Sequence, residues 1–272
     1  IIVLLKYKLI AFDMDGTLIN RDGAIPMATV DAIKQAMSLG IQVTLATGRM
    51  FRSAASCARQ LGISIPIISY QGSMVADPVS GKILQHTPMS IAIVKEAIQV
   101  ARQAPVHFNI YIDDELYVDE ITDGLKRYAQ RNGVEPHLVS DLSACITKDP
   151  TKLMVWGDPL ELDKVCPLLA DRMGSRCLIT RSYPTLCEVG HLATGKGKAL
   201  RFLSELLGIE QSETVAVGDG LNDIDMIEWA GLGVVVDTAP EEVKAMADWV
   251  VKISPQDGLA ELVTRICSLN GT

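Results

Sequence analysis

The sequence predicts an α/β fold, in which a parallel-sheet core is interrupted by an inserted α+β domain. Short buried-strand runs alternate with helix signals near both ends of the chain, the pattern of strand–helix–strand units. The middle of the chain instead holds hairpin signals, which are typical of antiparallel sheets. The 272 residues, 48% of them hydrophobic and 21% charged, suffice for two globular domains. We expect core segments at 1–84 and 189–272 and an α+β segment at 85–188.

The first third of the chain is predicted to alternate strands and helices. Strands are expected at 9–13, 41–46 and 65–69, where short apolar runs occur. A helix follows Pro26 and stops at Gly40, and a second runs from Met50 to Leu61 before Gly62. Short connections between these elements indicate a parallel sheet covered by helices.

The middle of the chain mixes elements of both kinds. Turn signals at Asp77-Pro78 and Ser80-Gly81 predict a hairpin over 74–85, and a second hairpin is expected over 108–120. The remaining predicted elements are helices at 90–103, 121–131 and 159–172 and strands at 106–112, 151–156, 176–180 and 185–189.

The last third returns to the alternating pattern. A helix is predicted at 196–207, followed by a strand over 213–219, a helix over 221–230 and a strand over 232–236. A helix after Pro240, a short strand at 248–251 and a final helix from about residue 256 complete the fold.

Two carboxylates follow the first predicted strand, in Asp13-Met14-Asp15-Gly16-Thr17. In an extended segment Asp13 and Asp15 lie on the same side, where their charges repel unless a cation holds them together. Mg²⁺ suits such a pair, because it binds carboxylates, water and substrate phosphate. An acidic turn without function is an equally good explanation of this segment taken alone.

Two helix starts carry groups that suit an anion. Thr47-Gly48-Arg49 opens a helix, and Thr47 taken alone is best explained as its N-cap. Lys196 and Lys198 begin another helix, against its dipole. The segment 190–197, GHLATGKG, also nearly matches a nucleotide-binding phosphate loop, but Gly197 stands where that loop needs Ser or Thr.

A second acidic strand end occurs late in the chain. Gly218-Asp219-Gly220 follows a buried strand, and Asn222 and Asp223 lie in the next helical turn. Asp219 is a candidate for the remaining ligand of a divalent cation. Because ligands bind at the carboxyl ends of parallel strands, the carboxylates, the hydroxyl and the lysine are expected along one sheet edge, as phosphoryl transfer requires.

This set of motifs resembles the haloacid dehalogenase superfamily, whose pattern is D-x-D-G-T, a strand ending in Thr or Ser, a Lys, and G-D-x-x-N-D. The inserted segment resembles the C2-type cap of its Cof-type phosphatase subfamily, on a Rossmann-like core. The chain departs from the pattern at Gln71, where Asn is usual before Gly72, and at Gly195, where the residue before the lysine is usually polar.

The resemblance implies roles for the matching residues. Asp13 would be the nucleophile that forms an aspartyl-phosphate, and Asp15 the general acid and base. Thr47, Gly48, Lys196 and Asn222 would bind phosphate. The Mg²⁺ cofactor would be held by Asp13, Asp15 through its backbone carbonyl, Asp219 and Asp223, and the cap would select the substrate.

The resemblance favours a phosphatase of small phosphorylated metabolites, with sugar phosphates expected first. A phosphomutase on the same scaffold is the leading alternative, and a non-catalytic phospho-ligand sensor is the third. Net charge −8 without a Lys/Arg block argues against a nucleic-acid partner. We expect no membrane segment, because no apolar stretch reaches the roughly 18–20 residues needed to span a bilayer. The six cysteines contain no C-x-x-C pair, so we expect reduced thiols in a cytoplasmic protein.

Overall fold

The computed structural model describes residues 6–20, 23–253 and 257–270. The chain forms two compact units. The first comprises the chain up to Gly48, Ala54–Leu84 and the chain from Gly195 onwards, and the second comprises Arg49–Ser53 and Gln85–Thr194. The predicted domain boundaries after residues 84 and 188 stay a proposal, because compactness alone does not define an independently folding domain.

Strands and helices alternate near both ends of the chain. The strands are β1 (Leu9–Phe12), β2 (Gln42–Leu45), β3 (Ile67–Ser69), β4 (Met74–Ala76), β5 (Ile83–His86), β6 (His107–Ile112), β7 (Glu115–Val118), β8 (Pro136–Leu138), β9 (Lys152–Trp156), β10 (Cys177–Tyr183), β11 (Leu186–His191), β12 (Thr214–Gly218), β13 (Leu232–Val236) and β14 (Trp249–Val251). The helices are α1 (Met27–Ser38), α2 (Phe51–Leu61), α3 (Ile91–Ala101), α4 (Asp123–Asn132), α5 (Leu142–Cys145), α6 (Pro159–Met173), α7 (Lys196–Leu207), α8 (Ile224–Trp229), α9 (Glu241–Lys244) and α10 (Ala260–Leu269).

A five-stranded sheet forms the centre of the first unit. Its order is β14-β13-β12-β1-β2, and each neighbouring pair is parallel. Every residue of β1 is fully buried, as the apolar run predicted. Leu9 and Ala11 belong to a hydrophobic cluster with Ala199, Leu200 and Leu203 of α7. The parallel core sheet predicted from the sequence is therefore confirmed.

The third predicted core strand differs from the prediction. Strand β3 joins β4 and β5 in a separate three-stranded sheet, in which β3 and β4 are antiparallel. One parallel bridge between Ala46 and Ile68 connects it with the extension of β2. A short apolar run does not specify its pairing partner, and that is why the sequence pattern missed this arrangement. The hairpin predicted over 74–85 is present, as β4 and β5.

A six-stranded mixed sheet forms the second unit, in the order β10-β11-β9-β6-β7-β8. Its pairs are antiparallel except for β7 with β8, which is parallel. One face packs on α3 and α6 through residues that alternate along the strands, such as Phe108, Ile110 and Ile112. The inserted α+β segment is therefore confirmed as a fold class.

Some details of the chain were not predicted. Strand β8 and helix α5, of three and four residues, are too short for the apolar pattern to show a period, and the sequence did not predict them. The final helix was expected from about residue 256, which lies outside the described residues, and its described helix begins at Ala260. All six cysteines are free thiols. None of the helices in the described part of the chain is both long and apolar enough to cross a bilayer.

Candidate active site

Three strands of the parallel sheet bring candidate site residues to one edge. Asp13 follows β1 directly, and its N–H donates to the carbonyl of Val217 in β12 at 2.8 Å. Asp219 follows the end of β12, and Thr47 follows the extension of β2. Because β1 lies between β12 and β2 and all three run parallel, their carboxyl ends share that edge.

The ammonium group of Lys196 joins two carboxylates inside this site. Its Nζ donates to Oδ1 of Asp13 and to Oδ1 of Asp223, at 2.5 Å each. All three residues are at most 5% exposed. Lys196 is the first residue of α7, so the start of that helix sets where the ammonium lies. A buried charge needs such partners, since its desolvation is costly without them.

Asp219 is held by the residues that follow Asp13. The Thr17 hydroxyl donates to Asp219 Oδ1 at 2.7 Å. Gly16 has a φ of +98°, and a Cβ built there would lie 2.3 Å from Asp219 Oδ2. Only glycine therefore fits, both for its backbone conformation and for its distance from the carboxylate.

Asp223 also shapes the loop that carries Asp219. Its Oδ2 accepts the N–H groups of Asp219 and Gly220, at 3.0 and 2.9 Å. A Cβ on Gly218 would lie 2.6 Å from the Cβ of Asp223, which explains the glycine at this strand end. Asp223 thus uses one oxygen for Lys196 and the other for the loop.

Burial governs the ionisation of these groups. It raises the pKa of the Asp13 carboxyl well above its usual value, Lys196 opposes the rise, and Asp223 and Asp219 add to it. The pKa of Asp219 is also raised, chiefly by burial. Burial alone would lower the pKa of Lys196, but Asp13 and Asp223 raise it, so the ammonium stays protonated.

The donor set fits a hard divalent cation. One carboxylate oxygen from each of Asp13, Asp219 and Asp223 lies within 4.8 Å of the others. Oxygen ligands of this kind are those that Mg²⁺ and Ca²⁺ take. A cation there would also offset the repulsion and burial that raise the pKa values of Asp13 and Asp219. The triad therefore suits a metal.

A second group of predicted residues meets around Gln71. Its Oε1 accepts from Asn222 Nδ2 at 2.9 Å, and its N–H donates to the Thr47 carbonyl at 3.0 Å. A Cβ on Gly48 would lie 2.4 Å from Gln71 Nε2. Gln71 has a left-handed backbone, with φ of 56°, as does Tyr70 before it, with φ of 52°. Such strain in non-glycine residues is typical of functional turns.

The predicted site residues thus fall into two contact groups. Asp13, Lys196, Asp219 and Asp223 form the first, and Thr47, Gly48 and Asn222 meet Gln71 in the second. Among the described acidic side chains, the Asp15 carboxyl is not a member of the metal-binding cluster. Asp15 is half-buried two residues after Asp13, and its backbone forms a bridge with Ile19.

Sequence reasoning gave no role to two residues that the geometry draws into the site. Thr17 lies in the first motif, where the sequence predicts no function for it, and Gln71 is predicted only as a departure from the family pattern. The D-x-D-G-T spacing was a signal for Thr17, whereas nothing in the sequence predicted the bond from Asn222 to Gln71.

The nucleotide-binding alternative finds no support in the geometry of the first turn of α7. A Cβ on Gly197 would lie 2.2 Å from the backbone oxygen of Asp225. A Ser or Thr, as that loop requires, has no room there.

Comparisons with known proteins agree with this geometry. A sequence model described as haloacid dehalogenase-like hydrolase matches residues 10–263. The putative phosphatase YxeH of Bacillus subtilis is 28% identical over 266 residues, covering 94% of this chain and 97% of that protein. The 5-amino-6-(5-phospho-D-ribitylamino)uracil phosphatase YwtE of Bacillus subtilis is 26% identical over 288 residues, covering 96% and 98%.

A solved structure supports the same relationship. The crystal structure of a haloacid dehalogenase-like hydrolase from Bacteroides thetaiotaomicron superposes with a TM-score of 0.88 at 29% identity, covering 96% of this chain and all of that one. The family match spans both ends of the chain, including the segments that carry Asp13, Lys196 and Asp219. The chain therefore belongs to the haloacid dehalogenase-like hydrolases, as a Cof-type member, and is a phosphatase of that family.

Proposed function

We propose that the protein hydrolyses sugar phosphates and related small phosphate monoesters through an aspartyl-phosphate on Asp13, with Mg²⁺ as cofactor. The observation that carries this proposal is the buried Lys196 ammonium, 2.5 Å from both Asp13 and Asp223. A nucleophilic carboxylate beside a fixed cation suits attack on a phosphoryl group, whose oxygens carry negative charge.

In the first step, an oxygen of Asp13 forms a bond to phosphorus while the bond from phosphorus to the substrate oxygen breaks. Asp15 gives its proton to the departing alkoxide, which leaves as an alcohol. Lys196, Thr47, Gly48 and Asn222 hold the phosphoryl oxygens in place. Asp13, Asp219, Asp223 and the Asp15 backbone carbonyl would hold Mg²⁺, and the bound cation would neutralise charge on the transferring group.

In the second step, water attacks the phosphorus of the aspartyl-phosphate. The Asp15 carboxylate, left without its proton after the first step, accepts one from that water. The acyl phosphate bond breaks, inorganic phosphate leaves, and Asp13 is a free carboxylate again. Asp15 thus serves as acid and then as base within one turnover.

A related protein indicates the substrate class to test first. The relative YwtE carries the name of a phosphatase that acts on a phosphorylated ribityl compound. A phosphate ester on a polyhydroxylated carbon chain is therefore the first class to test here, together with hexose and pentose phosphates.

The test measures free phosphate released from a panel with and without Mg²⁺. The panel holds hexose and pentose phosphates, 5-amino-6-(5-phospho-D-ribitylamino)uracil, nucleoside monophosphates, pyridoxal phosphate and ATP. We expect Mg²⁺-dependent release, with the highest kcat/KM for a sugar or sugar-alcohol phosphate. An isomerised sugar phosphate seen by ³¹P NMR without free phosphate would instead identify a mutase. Binding of all members without conversion would indicate a sensor.

Asp15→Asn tests the acid and base role in the same assay. The variant is expected to lose at least about a hundredfold in kcat, because general acid–base catalysis contributes about 10²–10⁴-fold. An unchanged kcat with a raised KM would contradict that role and assign Asp15 to substrate binding alone.

A further inference from the structure

Helix α7 lacks a cap of its own at the end that carries Lys196. Gly195 is the N-cap residue and has no side chain to accept a hydrogen bond, and the first turn contains no acidic residue. Lys196 and Lys198 instead place two positive charges there, which the helix dipole disfavours. The N–H groups of the first turn therefore need an acceptor from elsewhere in the chain.

Asp225 supplies that acceptor from another helix. It lies in the first turn of α8, and its Oδ2 accepts the Gly197 N–H at 2.8 Å. A Cβ on Gly195 would lie 2.4 Å from the same oxygen, and one on Gly197 would lie 2.2 Å from the Asp225 backbone oxygen. The two glycines flanking Lys196 thus leave the space that Asp225 occupies.

The contact joins the two segments that form the buried ion pair. Asp225 follows Asp223 by two residues, and Gly197 follows Lys196 directly. A hydrogen bond between α8 and the first turn of α7 therefore ties the start of α7, with Lys196, to the segment that carries Asp223. Asp225 is an exposed residue overall, and its carboxylate does not belong to the cluster of Asp13, Asp219 and Asp223.

We infer that Asp225 is a positioning residue, which caps the first turn of α7 from α8 and so fixes Lys196 against Asp13 and Asp223. The catalytic consequence rests on the proposed phosphatase function. The structural part, the fixed helix start, stands without it.

The first experiment measures hydrogen exchange at the Gly197 amide by NMR. Asp225→Ala is expected to speed this exchange, since the amide loses its acceptor. Asp158→Ala serves as the matched control, because Asp158 caps α6 through the Leu160 N–H at 2.9 Å and α6 carries no site residue. Unchanged exchange at Gly197 in Asp225→Ala would overturn the inference.

The second experiment measures phosphate release by the same variants. We expect Asp225→Ala to lower kcat by roughly ten- to a hundredfold, as displacement of a catalytic group by about 1 Å does. Asp225→Asn keeps an acceptor oxygen and should retain most of kcat. Asp158→Ala should retain all of it. Wild-type kcat in Asp225→Ala would overturn the inference.

A double variant separates capping from a general structural effect. Gly195→Ser alone should lower kcat, because its Cβ meets Asp225 Oδ2. Gly195→Ser combined with Asp225→Ala should be more active than either single variant, since the serine hydroxyl then caps α7 in the freed space. A double variant no better than Asp225→Ala would contradict the capping role.

Failure of the proposed function has a different signature. A wild-type protein that releases no phosphate from any substrate contradicts the function, while Gly197 exchange still decides the positioning role.

Discussion

At the scale of single residues, Lys196 links the acidic side chains of the site. Its ammonium is fully buried between Asp13 and Asp223, and Asp219 completes the acidic group. Without the lysine, these carboxylates would face one another in a desolvated site. The same contact that stabilises the folded chain places a positive charge beside the proposed nucleophile.

Lys196→Met tests this dual role. Removal of one partner from a buried ion pair costs about 3–5 kcal/mol, so the free energy of unfolding should fall by that amount in urea with EDTA present. The matched control is Lys126→Met, whose exposed ammonium pairs with Asp123 at 3.0 Å. The free energy of unfolding of this control variant should not change, because an exposed ion pair contributes little to stability. Equal stability of the two variants would contradict a stabilising role for Lys196.

The sequence predicted the juxtaposition of the main site residues but not their finer contacts. Asp13, Asp219 and Lys196 were expected at one sheet edge because the topology of parallel strands brings strand ends together. Thr17, Gln71 and Asp225 act through side-chain hydrogen bonds between segments far apart in the sequence, which residue spacing does not encode. The catalytic and ligand roles assigned by resemblance stay predictions.

At the scale of elements, the turn after β3 connects the two loops of the second contact group. Tyr70, Gln71 and Gly72 all have positive φ, and a Cβ on Gly72 would lie 2.1 Å from the Gly195 carbonyl oxygen. This close backbone approach places the turn against the segment just before α7. The turn therefore requires glycine at 72 for both conformation and space.

Gly72→Ala is expected to be more destabilising than a glycine substitution in an open turn. A left-handed alanine costs about 1–2 kcal/mol, and overpacking against Gly195 adds about 1–3 kcal/mol. Gly81→Ala is the control, because Gly81 also has a positive φ of 73° but nothing lies within 4 Å of its Cβ. Urea unfolding should separate the two. Identical losses would show that the contact with Gly195 is unimportant.

Element prediction succeeded where local patterns were strong. The strands of the parallel sheet and the long helices were identified from apolar periodicity and from glycine or proline boundaries. Strand β3 was expected in the core sheet but pairs with β4, because a three-residue strand with two isoleucines fits either partner. Strand β8 and helix α5 were missed, since three and four residues are too few to show a strand or helix period.

For the whole molecule, the first unit is assembled from both ends of the sequence. Strand β1 lies between β2 and β12, so the proposed nucleophile and the acidic group after β12 meet only when the unit has folded. The net charge of −8 does not describe this site, where a buried ammonium sits among carboxylates. Under the proposed function, local charge placement and not overall charge governs phosphate recognition at this site.

Metal binding should stabilise the folded molecule as a whole. A ligand present at 100 times its Kd adds about 2.7 kcal/mol to the free energy of unfolding. Saturating Mg²⁺ should thus raise Tm by roughly 5 °C over KCl of equal ionic strength. Asp219→Asn should abolish the rise, while Glu228→Gln, an exposed substitution on α8, should keep it. A rise that persists in Asp219→Asn would place the cation elsewhere.

The central claim is that Asp13 attacks phosphorus, and phosphate release by Asp13→Asn tests it most directly. The amide is no nucleophile, so we expect loss of all measurable turnover on the best panel substrate, with a circular dichroism spectrum like that of the wild type. Turnover of the variant at the wild-type rate would contradict the claim.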